Sequence, residues 1–235
     1  MMRTKKSACP ASPEPDRARS EAESLLGEFR ALFRQIGSPG VGAALDGPFW
    51  AAPLQAPATL GQFLEDYLAR LLLPLELPAI VAACGHARRG ELRELLAQDH
   101  GLASPLLPTP FAVPSKRMGG LQLARLRPLR DSRIVQRYLA AVECGQAHGW
   151  HTVVYGVTLA VFSLPLRQGL LYYARETLSV LASAAGRSKS FGPSELDEVL
   201  SGLLARLPEG VEAALASEGG CALAAHYPGQ LLPEV

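Results

Sequence analysis

Cys144, His148 and His151 stand at positions i, i+4 and i+7. On an unbroken helix they would share one face, and a thiolate beside two imidazoles suits zinc, nickel or copper. Gly149 lies between the two histidines and offers the alternative. A helix broken there would leave Cys144 in a core and both histidines at a turn. No fourth ligand is visible and structural histidines are common, so the structural reading is the better supported. Cys84-Gly85-His86 supplies two candidate ligands, too few for a closed site. Lys116, Arg117, Arg125, Arg127, Arg130, Arg133 and Arg137 form a basic series with the chemistry to hold phosphate or an acidic partner. It lacks the interleaved aromatics of a single-strand nucleic-acid binder. A solvated face or a protein-docking face is the expectation.

Other chemistries lack their motifs. The glycines between Gly37 and Gly47 are not followed by Lys-Ser/Thr, so they make no P-loop. There is no G-x-S-x-G, no HExxH and no carboxylate cluster. Tyr172-Tyr173 reads as packing. Nothing demands an enzyme, and no catalytic residue is assigned.

The elements that position these residues read as helices. "HTVVYGVTLAVFSLP", His151 to Pro165, holds thirteen uncharged residues between its ends. A bilayer span needs about 20 apolar residues, so this run is too short to cross. Its valines lean toward strand, but it is longer than a buried strand of about 4–8 residues. We read it as a core helix, joined by a tight turn at Leu164–Pro165 to an amphipathic helix ending at Gly186. Upstream, Ser20-Glu-Ala-Glu23 is a capping box for a helix to about Ile36, with Leu25, Leu26, Phe29, Leu32 and Phe33 as its buried stripe. Gly37 to Ala58 is a long Gly- and Pro-rich loop. Thr59-Leu-Gly-Gln62 starts a helix running to Pro74, and another begins near Leu77–Pro78. A short helix spans roughly Gly90 to His100, followed by the proline-rich connection "GLASPLLPTPFAVP". Ser115 is placed to cap "SKRMGGLQLARLR", and Asp131 restarts a helix through the Cys144 region. Pro193-Ser194 opens the next helix, and Pro208 starts a final one.

The expected fold is therefore all-α, one domain of about nine to ten helices over 20–217, with tails at 1–19 and 218–235. The chain of 235 residues is 48% hydrophobic, ample for a core, and its net charge of +1 argues against nucleic acid and anionic membranes as partners. Cysteines at 9, 84, 144 and 221 form no CxxC, as in a reduced, cytoplasmic protein. The basic start has no apolar h-region, and Glu14 and Asp16 count against a transit peptide.

The order of segments from about Leu60 to Leu207 resembles the F-type urease accessory protein family, UreF. "LGQFLEDYLARLLLPLELPAIVAA" looks like the family's early helix pair, and "SKRMGGLQLARL" is similar to its S-x-x-M/L-G helix start. From His151 onward, His151, Gly156, Ala160, Pro165, Ser183, Ala184, Ala185, Gly192 and Ser194 stand at matching positions. The family's N-terminal P-x-G-G-F-x-H-S-x-G-L-E-like segment is reduced here to Ser38, Pro39, Gly40 and Gly42. Phe191-Gly192-Pro193-Ser194 replaces L-G-Q-T, and the usual Arg-rich close is missing. The resemblance implies a non-catalytic homodimeric scaffold. Such a scaffold binds the H/D-type accessory protein and the nickel-carrying GTPase, assisting nickel delivery to apo-urease and regulating the GTPase. It further implies partner contacts in the 37–48 loop, from Lys189 through Gly192 to Ser194, and in the tail at His226 and Tyr227. No cofactor is expected to bind stably, although Ni²⁺ in transit could touch His151. The alternatives are a diverged helical interaction protein without the urease role, or a small metal-binding protein using Cys144, His148 and His151.

Overall fold

The computed structural model describes residues 24, 27, 29–36, 57–107, 109–189 and 193–217. The expected tails, the Ser20–Glu23 capping box and the loop from Gly37 to residue 56 lie outside the described residues. Among the described residues every regular element is a helix, so the all-α expectation holds. In chain order they are α1 (Phe29–Ile36), α2 (Pro57–Tyr67), a π-helical segment (Leu68–Glu76), α3 (Leu77–Arg89) and α4 (Leu92–Gly101). Then come α5 (Ala103–Leu106), α6 (Ala112–Leu126), α7 (Arg133–Glu143) and α8 (His151–Val161). The last are α9 (Leu166–Lys189), α10 (Pro193–Ala205) and α11 (Leu207–Ala216).

Several boundaries differ from the sequence reading for identifiable reasons. Helix α2 opens at Pro57 rather than at Thr59, because proline is pre-set for a first helical position. Pro74 does not end that helix. An α-helical Pro74 would lose an N–H and press its ring on the carbonyl one turn back. The wider π turn relieves this: Leu77 N–H donates to the Leu72 carbonyl, five residues back. The two helices expected on either side of Pro74 thus run on as one rod. Glycine at 186 does not stop α9, which continues to Lys189. One glycine costs only about 1 kcal/mol against alanine in a helix interior. The proline-rich connection after Gly101 contains the short α5 and the first turn of α6.

The rod from Leu60 to Arg89 is long and apolar enough to cross a bilayer by length and composition alone. In the fold its Leu64, Leu68, Leu71, Leu72, Leu77 and Ile80 are fully buried among other helices.

Two core clusters meet on the pair α3 and α8. Leu77, Ile80 and Cys84 of α3, with Tyr155 and Leu159 of α8, join α2, the π segment, α9, α10 and α11. Ala79, Ala83 and Ala87, with Val153, Val154 and Val157, join α4, α6 and α7. Helix α8 therefore faces core on both sides, and every residue from His151 to Leu159 is buried. This is why its sequence carries no charge and no polar stripe. The pair packs closely: a Cβ on Gly156 would lie 2.7 Å from both the Ala83 Cβ and the Ile80 carbonyl oxygen. Helix α1 is held by Phe33, buried and stacked on Tyr172 with ring centres 5.2 Å apart, whereas Phe29 and Leu32, expected to be buried with it, are exposed because only the Phe33 side of the helix meets the core.

Candidate functional site

Helix α7 ends at Glu143, and Gly145 and Gly149 both take positive φ, 72° and 69°. The chain therefore leaves the helix before His148, so Cys144, His148 and His151 do not share a helical face. Cys144 caps α7 and is exposed, contrary to the core position that the broken-helix reading gave it. His148 sits half-buried in the connecting loop, and His151 is fully buried as the first residue of α8. Among the described residues, no three His, Cys, Asp or Glu side chains gather in a way that could hold a metal.

The loop is organised instead by Asp99, a fully buried residue near the end of α4. Its Oδ1 accepts the His148 N–H at 2.6 Å, and its Oδ2 accepts the Tyr138 hydroxyl at 2.6 Å and the Gly149 N–H at 3.1 Å. Its carbonyl accepts the Trp150 indole N–H at 2.8 Å. One residue thereby ties α4, α7 and the entry to α8. Trp150 also carries Lys116, whose Nζ lies 4.9 Å from the ring centre.

The entry to α8 is completed from α6. Ser115 was expected to cap its own helix, but α6 begins three residues earlier at Ala112. Its Oγ accepts the His151 N–H at 3.2 Å, so the buried serine caps another helix. His151 contributes a backbone donor there rather than a capping side chain. An N-terminal helix N–H left without such a partner in a core would be costly.

Behind His151 lies a second buried polar group. Tyr67 and Tyr173 donate to the two carboxyl oxygens of Glu76 at 2.8 and 3.1 Å. The first bond bridges the π segment end to end. The Tyr173 ring lies 5.4 Å from His151 and 5.1 Å from Tyr155, whose hydroxyl donates to the Gly169 carbonyl. Burial pushes the Glu76 pKa from 4.5 up to about 7, partly offset by the two tyrosine hydrogen bonds. Burial pushes His151 from 6.5 down to about 4.

Both shifts cost stability, and they oppose each other in how that cost varies with pH. Between the unfolded values of 4.5 and 6.5, the unfolded chain protonates the histidine and not the glutamate. The folded chain does the reverse, so their proton counts match and their pH slopes cancel. Glu76→Gln is expected to uncover the histidine: the variant's own stability gains a slope that the wild-type pair lacks, falling as pH drops from 6.5 toward about 4. His151→Gln uncovers the glutamate, so that variant's own stability falls as pH rises from 4.5 through about 7. Each slope approaches about 1.4 kcal/mol per pH unit. Urea unfolding across this range checks the signs; two variants with slopes of the same sign would contradict the assignment.

The other expected residues are dispersed. Ser194 is exposed in the first turn of α10, behind Pro193 at the opening position. Lys189 is the last residue of α9. Ser38, Pro39, Gly40, Gly42, Gly192, His226 and Tyr227 lie outside the described residues. Of the basic series, Arg117, Arg125, Arg127, Arg130, Arg133 and Arg137 are exposed on α6, α7 and the turn between them, and Arg127 pairs with Glu143. Cys84 is buried while His86 bonds Glu91 at 2.8 Å, so these two candidate ligands are used separately. Tyr172 and Tyr173 are packing residues, the latter with a buried hydrogen bond.

Asp99 and Glu76 were not singled out from the sequence. Glu76 had a signal: it is the one charge in "LLLPLELPAIVAA", where a buried helix must carry it inside. Asp99 had none, because "LLAQDHG" reads as an ordinary exposed helix end.

The polar interior holds helices together, and the described surface carries a basic series and no group of three or more clustered ligands. This is the build of an all-helical protein held by buried polar ties between helices. The UreF family model matches residues 54–204, from just before α2 into α10, and the chain belongs to the UreF family. It is accordingly a urease accessory protein in the broad sense. No curated protein gave a significant match.

Proposed function

We propose that the chain acts as a non-catalytic scaffold in urease maturation. In this reading it works as a cytoplasmic homodimer, binds the H/D-type accessory protein and the nickel-carrying GTPase, assists nickel insertion into apo-urease and regulates the GTPase. The match to the UreF family over 54–204 carries the proposal. The exposed arginines of α6, α7 and the turn between them support it as groups that an acidic partner surface can meet. Partner contacts are assigned to Ser38, Pro39, Gly40 and Gly42, to Lys189, Gly192 and Ser194, and to His226 and Tyr227. Of these, Ser194 is exposed at the start of α10, where a partner can reach it.

Complementation tests the proposal. The chain is expressed with its cognate partners in a urease-producing host that lacks only its own F-type protein, and urease is assayed at limiting nickel. Restored activity is expected, with Ser194→Arg lowering it while leaving the melting temperature unchanged. A soluble, folded chain that restores nothing would overturn the urease role and leave a helical interaction protein of another pathway.

A further inference from the structure

His100, on the last turn of α4, and His148, in the loop before α8, have ring centres 5.8 Å apart with planes at 78°. Both lie beside Asp99. His100 follows it in the chain, and the His148 N–H donates to its Oδ1 at 2.6 Å. The His148 ring lies 5.1 Å from Trp150, itself bonded to the Asp99 carbonyl. The backbone of both histidines is thus fixed, while His100 is exposed and His148 half-exposed, so an ion can approach from solvent.

We infer that His100 and His148 form a two-imidazole site for a borderline divalent first-row cation such as Zn²⁺. Imidazole nitrogens suit these ions over Mg²⁺ or Ca²⁺, which take oxygen ligands. With bonds of about 2.0–2.1 Å, each ring centre sits roughly 3 Å from the ion, so two rings can share one only within about 6 Å. The observed separation of ring centres satisfies that limit, and binding requires the two side chains to turn one nitrogen each toward the shared ion. No third protein ligand joins them, since among the described residues no three candidate ligands gather. Water completes the shell, and affinity is modest. This site shares only His148 with the Cys144–His148–His151 set and stands independently of the urease role.

The test is a Zn²⁺ titration of the full chain carrying Cys9→Ser, Cys144→Ser and Cys221→Ser, which removes competing thiolates. The imidazole Hε1 resonances are followed by NMR and the affinity by calorimetry. The His100 and His148 resonances are expected to move together and saturate at one ion per chain, with His151 unmoved. His100→Ala and His148→Ala should each weaken binding roughly tenfold or more, the scale on which even outer-shell changes act. His86→Ala should leave it unchanged. Movement of only one of the two resonances, or unaltered affinity in either alanine variant, would overturn the site. So would an absence of binding. Should His148→Ala loosen the loop, the resonances of the intact pair still decide.

Discussion

Gly119→Ala is expected to destabilise the fold by upwards of about 3 kcal/mol, the top of the overpacking range, whereas Gly120→Ala, one residue on, gains about 1 kcal/mol from helix propensity. The two glycines are neighbours in the interior of α6, so local sequence assigns them the same cost. They differ in what stands opposite. A Cβ on Gly119 would lie 1.9 Å from the Gly149 carbonyl oxygen and 3.0 Å from the His151 nitrogen, whereas one on Gly120 meets nothing within 4 Å. Backbone faces the new methyl group, so no rotamer change can relieve the overlap. Helix α6 would have to draw back, stretching the 3.2 Å bond from His151 to Ser115 and lifting Lys116 from Trp150. Urea unfolding of both variants checks this pair of opposite signs. A Gly119→Ala protein as stable as wild type would mean that α6 and the α8 entry are not packed as described.

Asp99→Asn should cost about 3–5 kcal/mol, on a scale of about 1–3 kcal/mol for each buried donor left unmatched. The substitution keeps shape and volume and changes only hydrogen-bonding capacity. Three donors, from Tyr138, His148 and Gly149, converge on two carboxyl oxygens. An amide offers one oxygen and brings an N–H₂ group of its own, so a donor must face a donor whichever way it turns. Tyr138→Phe removes one of the three and should cost only about 1 kcal/mol. In the double variant the two losses should be less than additive, because the tyrosine donor is no longer there to be orphaned. Full additivity would show that Asp99 and Tyr138 act independently. Calorimetric or urea unfolding of the four proteins measures this coupling directly.

Much of the fold was legible in the sequence because helices announce themselves locally. The ends of α1 at Ile36, α4 near His100 and the turn at Leu164–Pro165 follow from apolar spacing and from glycine and proline chemistry. The uncharged run from His151 marked a buried helix, since a segment enclosed on all sides has no polar face to keep. The family resemblance rested on the order of such segments, and it survives in the UreF match.

What the tertiary structure alone decided concerns groups whose partners are distant in the chain. Ser115 looks like the cap of its own helix and caps α8, 36 residues away. Gly119 and Gly120 are alike until Gly149 is placed opposite one of them. Pro74 reads as a helix end, and the rod continues through it because a π turn frees the carbonyl that proline would strike. Asp99 resembles any acidic residue at a helix terminus, yet three donors from α7 and the following loop bury it. The physical reason is common to all four. Helix propensity and periodicity act over one or two turns, whereas hydrogen-bond satisfaction and backbone clearance depend on the element that packs alongside.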